Sequence, residues 1–198
     1  MGLTLDYEDG KTPLEEDEKV GLLIKTVSTR NELDEFEQQN IEKAILWTLK
    51  RKFKIHTLLE EQFIKQLHKK MYGEVWTWAG EFRKTNKNIG VDKFEIAIEL
   101  KKLQDDMRYW IENKSFSADE TALRFKHRLV SIHCFANGNG RHSRLMADVI
   151  VDHIYKQPVF SWGAASLSHQ NDTRKIYLHA LKAADAGDYE LLTRFARS

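Results

Sequence analysis

Cysteine occurs once in 198 residues, at Cys134, which excludes an intrachain disulfide framework and any cysteine-rich zinc site. A lone thiol fits a reducing compartment, so the cytoplasm is the expected location. Proline occurs only twice, at Pro13 and Pro158, and nothing between them forces a helix to break. Charge of one sign is also lacking: 31 Lys plus Arg stand against 30 Asp plus Glu, a net charge of +1. That balance removes any general attraction to nucleic acid or an anionic membrane, so neither is expected as a partner and any anion must be held locally. No window approaches the roughly 20 apolar residues of a membrane span. The first nine residues are polar and acidic, so neither insertion nor export is expected.

What is present is a globular composition, 41% hydrophobic and 31% charged with five Trp and ten Phe, enough for one domain with its own core. Apolar residues recur at three- and four-residue spacing, the helical period. A Ser or Thr followed three residues later by Glu marks four helix origins: Thr12 with Glu15, Thr29 with Glu32, Thr57 with Glu60, and Ser117 with Glu120. The second opens a helix through about Lys52, with Leu33, Phe36, Ile41, Ala44 and Ile45 as candidates for its buried stripe. The third carries Leu58, Phe63, Ile64, Leu67 and Met71. Helical spacing returns from about Phe94 to Asn113, Ala118 to Ile132, Asn139 to Lys156, Asp172 to Ala184, and from Asp188 as N-cap to Arg197. Between Gly73 and Gly90 the period fails, and a polar run from Lys84 to Asn88 follows Trp76, Trp78, Gly80 and Phe82, which reads as a loop or short hairpin. The expectation is a mostly α protein: seven or eight helices and one small β-hairpin, forming a single domain over residues 11–198 behind a loosely specified segment 1–10.

The segment most loaded with chemistry is His133-Cys134-Phe135-Ala136-Asn137-Gly138-Asn139-Gly140-Arg141-His142-Ser143-Arg144, set between two helices. Gly138 and Gly140 remove Cβ atoms where backbone N–H groups can converge, and the next helix adds the positive end of its dipole. Together these make an anion nest suited to phosphate. Arg141 and Arg144 sit three apart on the first turn, where two cations oppose the dipole; either an anionic ligand offsets them or acidic side chains from elsewhere neutralise them. His133, on the rim of the same loop, could take a hydroxyl proton. A histidine after an apolar turn is otherwise a structural residue, and only the neighbouring nest favours catalysis. Phe135 reads as an anchor into the core. His127, His133 and His142 lack the spacing of a helical metal-binding pair, which makes a zinc hydrolase the weaker reading.

This segment resembles the Fic/Doc signature His-x-Phe-x-Asp/Glu-Gly-Asn-Gly-Arg-x-x-Arg and meets it at every fixed position except Asn137. Val75 to Arg83 and Asn88-Ile89-Gly90 are similar to the family's flap, and the chain is most similar to the subgroup called mobile mystery protein B. The resemblance implies a compact Fic-like bundle that moves AMP from ATP to a Ser, Thr or Tyr hydroxyl of a target protein, with His133 as general base. Gly138, Asn139, Gly140 and Arg141 would hold the phosphates and Arg144 the γ-phosphate. Lys87, Asn88, Ile89 and Gly90, within a flap over about 84–91, would dock the target by strand addition. Where the family has a carboxylate for Mg2+, this chain has Asn137, a neutral ligand that lowers metal affinity unless ATP supplies most of the coordination. An early inhibitory helix is also implied. Its nearest counterpart is Glu37, which would pair with Arg144 or else be one more solvated charge beside Glu32, Asp34 and Glu35. A separate regulatory partner protein is the alternative source of inhibition. Cys134, where many members have proline, reads as a packed small residue. Two rival activities stay open: phosphate transfer of the Doc type, against which Gly140 speaks because that branch has Ala-Asn-Lys for Gly-Asn-Gly, and a nucleotide-binding module with little turnover.

Overall fold

A computed structural model describes residues 14–164 and 170–198, without the side chains of residues 170–172. Among the described residues nine helices run in order: α1 Glu16–Val20, α2 Arg30–Leu49, α3 Ile55–Leu58, α4 Glu61–Tyr72, α5 Ile96–Glu112, α6 Ala118–Ile132, α7 Asn139–His153, α8 Gln170–Asp185 and α9 Glu190–Arg197. Two of these, α1 and α3, are single turns of five and four residues, so seven longer helices build the bundle. Segment 1–10 and the Thr12 cap lie outside the described residues.

Two of the expected helix origins form as the sequence indicates. Thr29 accepts from the Glu32 N–H at 3.3 Å while the Glu32 carboxylate accepts from the Thr29 N–H at 3.0 Å, a reciprocal cap that opens α2. Ser117 accepts from the Glu120 N–H at 3.2 Å and opens α6. The third origin is displaced: Thr57 lies inside α3 and Glu60 is the N-cap of α4. At the last helix Tyr189 is the N-cap, and Asp188 accepts from the Glu190 N–H at 2.9 Å.

The centre of the bundle is the α6–α7 pair, joined by the loop that carries the signature. Helix α5 packs on the far side of α6, α4 touches α7, and α2 lies along α4. Phe125 and Leu129 of α6, Met146 and Ile150 of α7, and Ile64 and Leu67 of α4 are buried together. Each contributes roughly 1.5–3 kcal/mol by leaving water. On α2 the buried positions are Leu33, Glu37, Asn40, Ile41, Ala44 and Thr48, whereas Phe36 and Ile45 are exposed. The stripe therefore runs through three polar residues, and one is Glu37.

The expected hairpin over 84–91 is not seen. Among the described residues the only extended pairing is an isolated antiparallel bridge between Leu22 and Trp76. Side chains take the bonds that a hairpin ladder would make. Arg83 donates to the carbonyls of Thr85, at 2.8 Å, and Val91. Asn86 accepts from the Lys93 N–H at 2.8 Å and donates to Asp92 at 2.7 Å. The flap is an irregular loop fixed from inside.

Candidate active site

The signature loop is shaped by two left-handed residues. His133 closes α6 at φ 58°, ψ 59°, and Gly138 opens α7 at φ 78°, ψ 0°. A non-glycine residue in this region costs of order 1–2 kcal/mol and persists only where its surroundings enforce it. Here they do. Phe135 is fully buried and stacks on His68, ring centroids 3.7 Å apart. Its backbone N–H donates to Asn139 Oδ1 at 2.9 Å, and its carbonyl accepts from Asn139 Nδ2 at 2.8 Å. Gly80 N–H donates to His68 Nδ1 at 3.0 Å, so the ring proton sits on Nε2, which donates to the Asn137 carbonyl at 3.0 Å. His68 is thus a clamp on the loop, invisible to sequence reasoning because it sits on an ordinary helix face.

Gly138 is required by contact as well as by torsion: a Cβ there would lie 2.5 Å from the Tyr72 ring. A Cβ at Gly140 would meet nothing within 4 Å. The start of α7 is therefore open on the Gly140 side, and the first turn of a helix is where unpaired N–H groups suit an anion. The side chain of Asn139 is turned inward onto Phe135, so that residue reaches an anion only through its backbone.

The two arginines have different surroundings. Glu37, only 3% exposed, accepts from Arg141 Nη2 at 2.5 Å on one carboxylate oxygen and from the Trp76 indole N–H at 2.7 Å on the other. Arg141 also lies 5.2 Å over the Tyr72 ring. Arg144 lies 5.6 Å over the ring of Tyr177, whose hydroxyl accepts from the buried Lys126 ammonium. Burial, and then the charge of Arg144, hold Lys126 well below the usual lysine range. The expected partner of Glu37 was Arg144; the pair forms instead with Arg141, one turn earlier. Glu37 is accordingly not a solvated charge, and acid from elsewhere neutralises one arginine of the two.

His133 is buried, with 5% exposure. Burial lowers its imidazole to about 4, aided by the cations Arg83 and Lys87 and opposed by a backbone hydrogen bond at Val130. The ring is neutral at physiological pH and can accept a proton. Burial pushes the Cys134 thiol up to about 12, which fits a packed residue and not a nucleophile.

The flap lies against this histidine. A Cβ on Gly90 would come 2.6 Å from the His133 Cβ, and the Val91 N–H donates to the Ile132 carbonyl at 3.3 Å. Asn88, Ile89 and Gly90 are exposed, whereas the Lys87 side chain is buried against α1 and pairs with Glu18 at 2.5 Å. The Asn137 Oδ1 accepts from the Gly138 N–H at 2.5 Å. Among the described residues no group of three or more His, Cys, Asp or Glu side chains could hold a metal ion. One neutral and already engaged oxygen does not fit a resident magnesium site. Any such ion would draw its remaining ligands from the nucleotide and water.

Among the described residues no helix is long and apolar enough to cross a membrane. The Fic/DOC family model matches residues 58–151. Protein adenylyltransferase Fic of Drosophila grimshawi is 29% identical over 136 residues, 67% of this chain and 26% of the relative. The protein of the same name from Aedes aegypti matches to the same extent. The chain thus spans about a quarter of the length of these curated relatives. Among solved structures, BepC of Bartonella tribocorum with bound AMPPNP has a TM-score of 0.68 at 15% identity, covering 92% of this chain and 97% of that one. Fic-1 of C. elegans has a TM-score of 0.65 at 20% identity, covering 90% and 51%. Residues 58–151, which hold the signature loop between α6 and α7, thus match the Fic/DOC family model, and the bundle around that loop has the fold of these Fic proteins.

Proposed function

We propose that the chain is a protein AMP-transferase that uses ATP. The observation that carries this reading is the buried imidazole of His133, lowered by burial, at one end of the signature loop, with the start of α7 open at Gly140 at the other. A Ser, Thr or Tyr hydroxyl of a target protein loses its proton to His133 as its oxygen bonds to the α-phosphorus of ATP. The bond from that phosphorus to the bridging oxygen breaks, and pyrophosphate leaves. The α7 N–H groups, Arg141 and Arg144 hold the triphosphate and its developing charge. Asn88, Ile89 and Gly90 form the exposed lip on which the target segment lies. Glu37 acts as a restraint through Arg141, since its carboxylate takes one edge of a guanidinium that would otherwise face phosphate. A regulatory partner protein could act on the same pair from α2. The cytoplasm is the proposed location.

Incubation with cell lysate and ATP labelled at the α- or the γ-position tests this reading. Protein-bound label from the α-position alone is expected. Label from the γ-position would mean phosphate transfer, and ATP binding without label would mean a nucleotide-binding module, a reading that Asn137 favours.

A further inference from the structure

Arg83 stands out among the residues near the loop: it is buried, with 4% exposure, and its hydrogen bonds run to backbone carbonyls and an amide rather than to a carboxylate. Its Nε donates to the carbonyl of His133 at 2.7 Å. Its two terminal nitrogens donate to the carbonyls of Thr85 and Val91, one at each end of the flap. Its own backbone N–H donates to the Cys134 carbonyl at 2.9 Å. A guanidinium spreads five donors over three nitrogens in one rigid plane and so bonds these carbonyls in a fixed geometry, whereas an ammonium carries its three donors on a single nitrogen at the end of a flexible stem.

We propose that Arg83 is the positioning residue for His133: its guanidinium holds the histidine's backbone in the left-handed conformation and fixes the flap at a constant distance from the imidazole. The role of the positioned group, proton acceptor in AMP transfer, rests on the function proposed above; the positioning itself does not. Three features agree. The left-handed torsions of His133 need an external hold, and Arg83 bonds the carbonyl of that residue. The flap has no ladder of its own, and Arg83 bonds both its ends. The charged groups that bear on the imidazole are Arg83 and Lys87, both cations, with Arg83 the stronger influence. The same side chain that places the imidazole therefore also disfavours its protonation and keeps it a base.

Arg83→Met removes fork and charge; Arg83→Lys keeps the charge alone. NMR titration of the His133 ring is expected to give a pKa about one unit higher in Arg83→Met than in the wild type. Transfer should fall about 100-fold in kcat, with ATP affinity within twofold, because Arg83 does not touch the nest. In Arg83→Lys the Val91 amide should exchange with solvent at least tenfold faster, and kcat should fall about tenfold with the acid limb of the pH profile unmoved. An unshifted imidazole in Arg83→Met, or an unchanged Val91 exchange rate in Arg83→Lys, overturns the proposal. If Arg83→Met fails to fold, the exchange measurement on Arg83→Lys decides alone. Absence of transfer by the wild-type protein would end the AMP-transfer reading and leave the titration and exchange results to judge Arg83.

Discussion

Glu37 and Arg141 set how much positive charge the nest offers. The carboxylate sits 2.5 Å from the guanidinium and is itself held by Trp76, so its charge is fixed where a polyanion would arrive. Glu37→Gln removes that charge while keeping an oxygen for the indole. ATP should then bind roughly tenfold more tightly, about 1.4 kcal/mol, a fair magnitude for one unit charge several ångströms away. Calorimetric titration decides it: unchanged or weaker binding would show that Glu37 orients Arg141 and does not restrain it. At Asn137 the opposite charge change is informative. Asn137→Asp should keep the bond from the Gly138 N–H and supply the missing carboxylate, so ATP binding should saturate at several-fold lower magnesium concentration. No change in that titration would place the residue outside the metal's reach.

At the scale of elements, α7 begins at two glycines with opposite demands. Gly138 is left-handed and pressed against Tyr72, whereas Gly140 is open. Gly138→Ala should cost more than about 2 kcal/mol and lower Tm by roughly 5 °C. Gly140→Ala should raise Tm by roughly 2 °C, since alanine suits a helix by up to about 1 kcal/mol. Its methyl group would nevertheless stand where an anion approaches, so ATP affinity should fall at least tenfold. Differential scanning fluorimetry with and without ATP separates the two effects, and a Gly140→Ala protein that binds ATP as the wild type does would remove the nest from the phosphate site. These same elements show what could be read from residues alone. Period located α2, α6 and α7, and the Thr29 box and the Ser117 cap marked the starts of the first two, because such caps are local and need no distant partner. The flap misled because turn-rich composition looks alike whether a ladder or a buried arginine closes it. Glu37 stands four residues after Leu33 and four before Ile41, squarely on the buried stripe, so its burial was legible; its partner was not, because Arg141 is 104 residues away. His68 carried no local mark, and Trp76 and Arg83 were marked only as members of a segment similar to the flap, since each acts through a contact that only the fold creates.

Across the whole molecule, burial of titratable groups ties stability to pH. His133 and His142 are each lowered to about 4 by desolvation, and His68 is lowered well below its ordinary value for the same reason. A depressed histidine is neutral when folded and protonated when unfolded over the interval between the two pKa values, so the unfolded state binds more protons there. The stability is complete above about pH 6.5 and drains as pH falls toward about 4, by about 3 kcal/mol for each of the first two. Asp148 opposes this: burial raises it to about 6, although Trp162 and the Phe160 N–H bond its carboxylate, and its penalty is relieved as pH falls below that value. The histidines outweigh it. Thermal melts should therefore show Tm falling steeply between pH 6 and pH 4; a flat profile over that range would mean the three rings are wetter than their packing implies. The same burial keeps the His133 imidazole in its proton-accepting form over the physiological range, at a lower basicity than an ordinary histidine. The most direct measurement is transfer of α-labelled AMP by His133→Ala beside its ATP dissociation constant. Transfer should drop at least 1,000-fold with ATP affinity unchanged within twofold, since the imidazole meets the attacking hydroxyl and not the phosphates. Transfer within tenfold of the wild-type rate would contradict His133 as the base and, with it, the chemistry assigned to this loop.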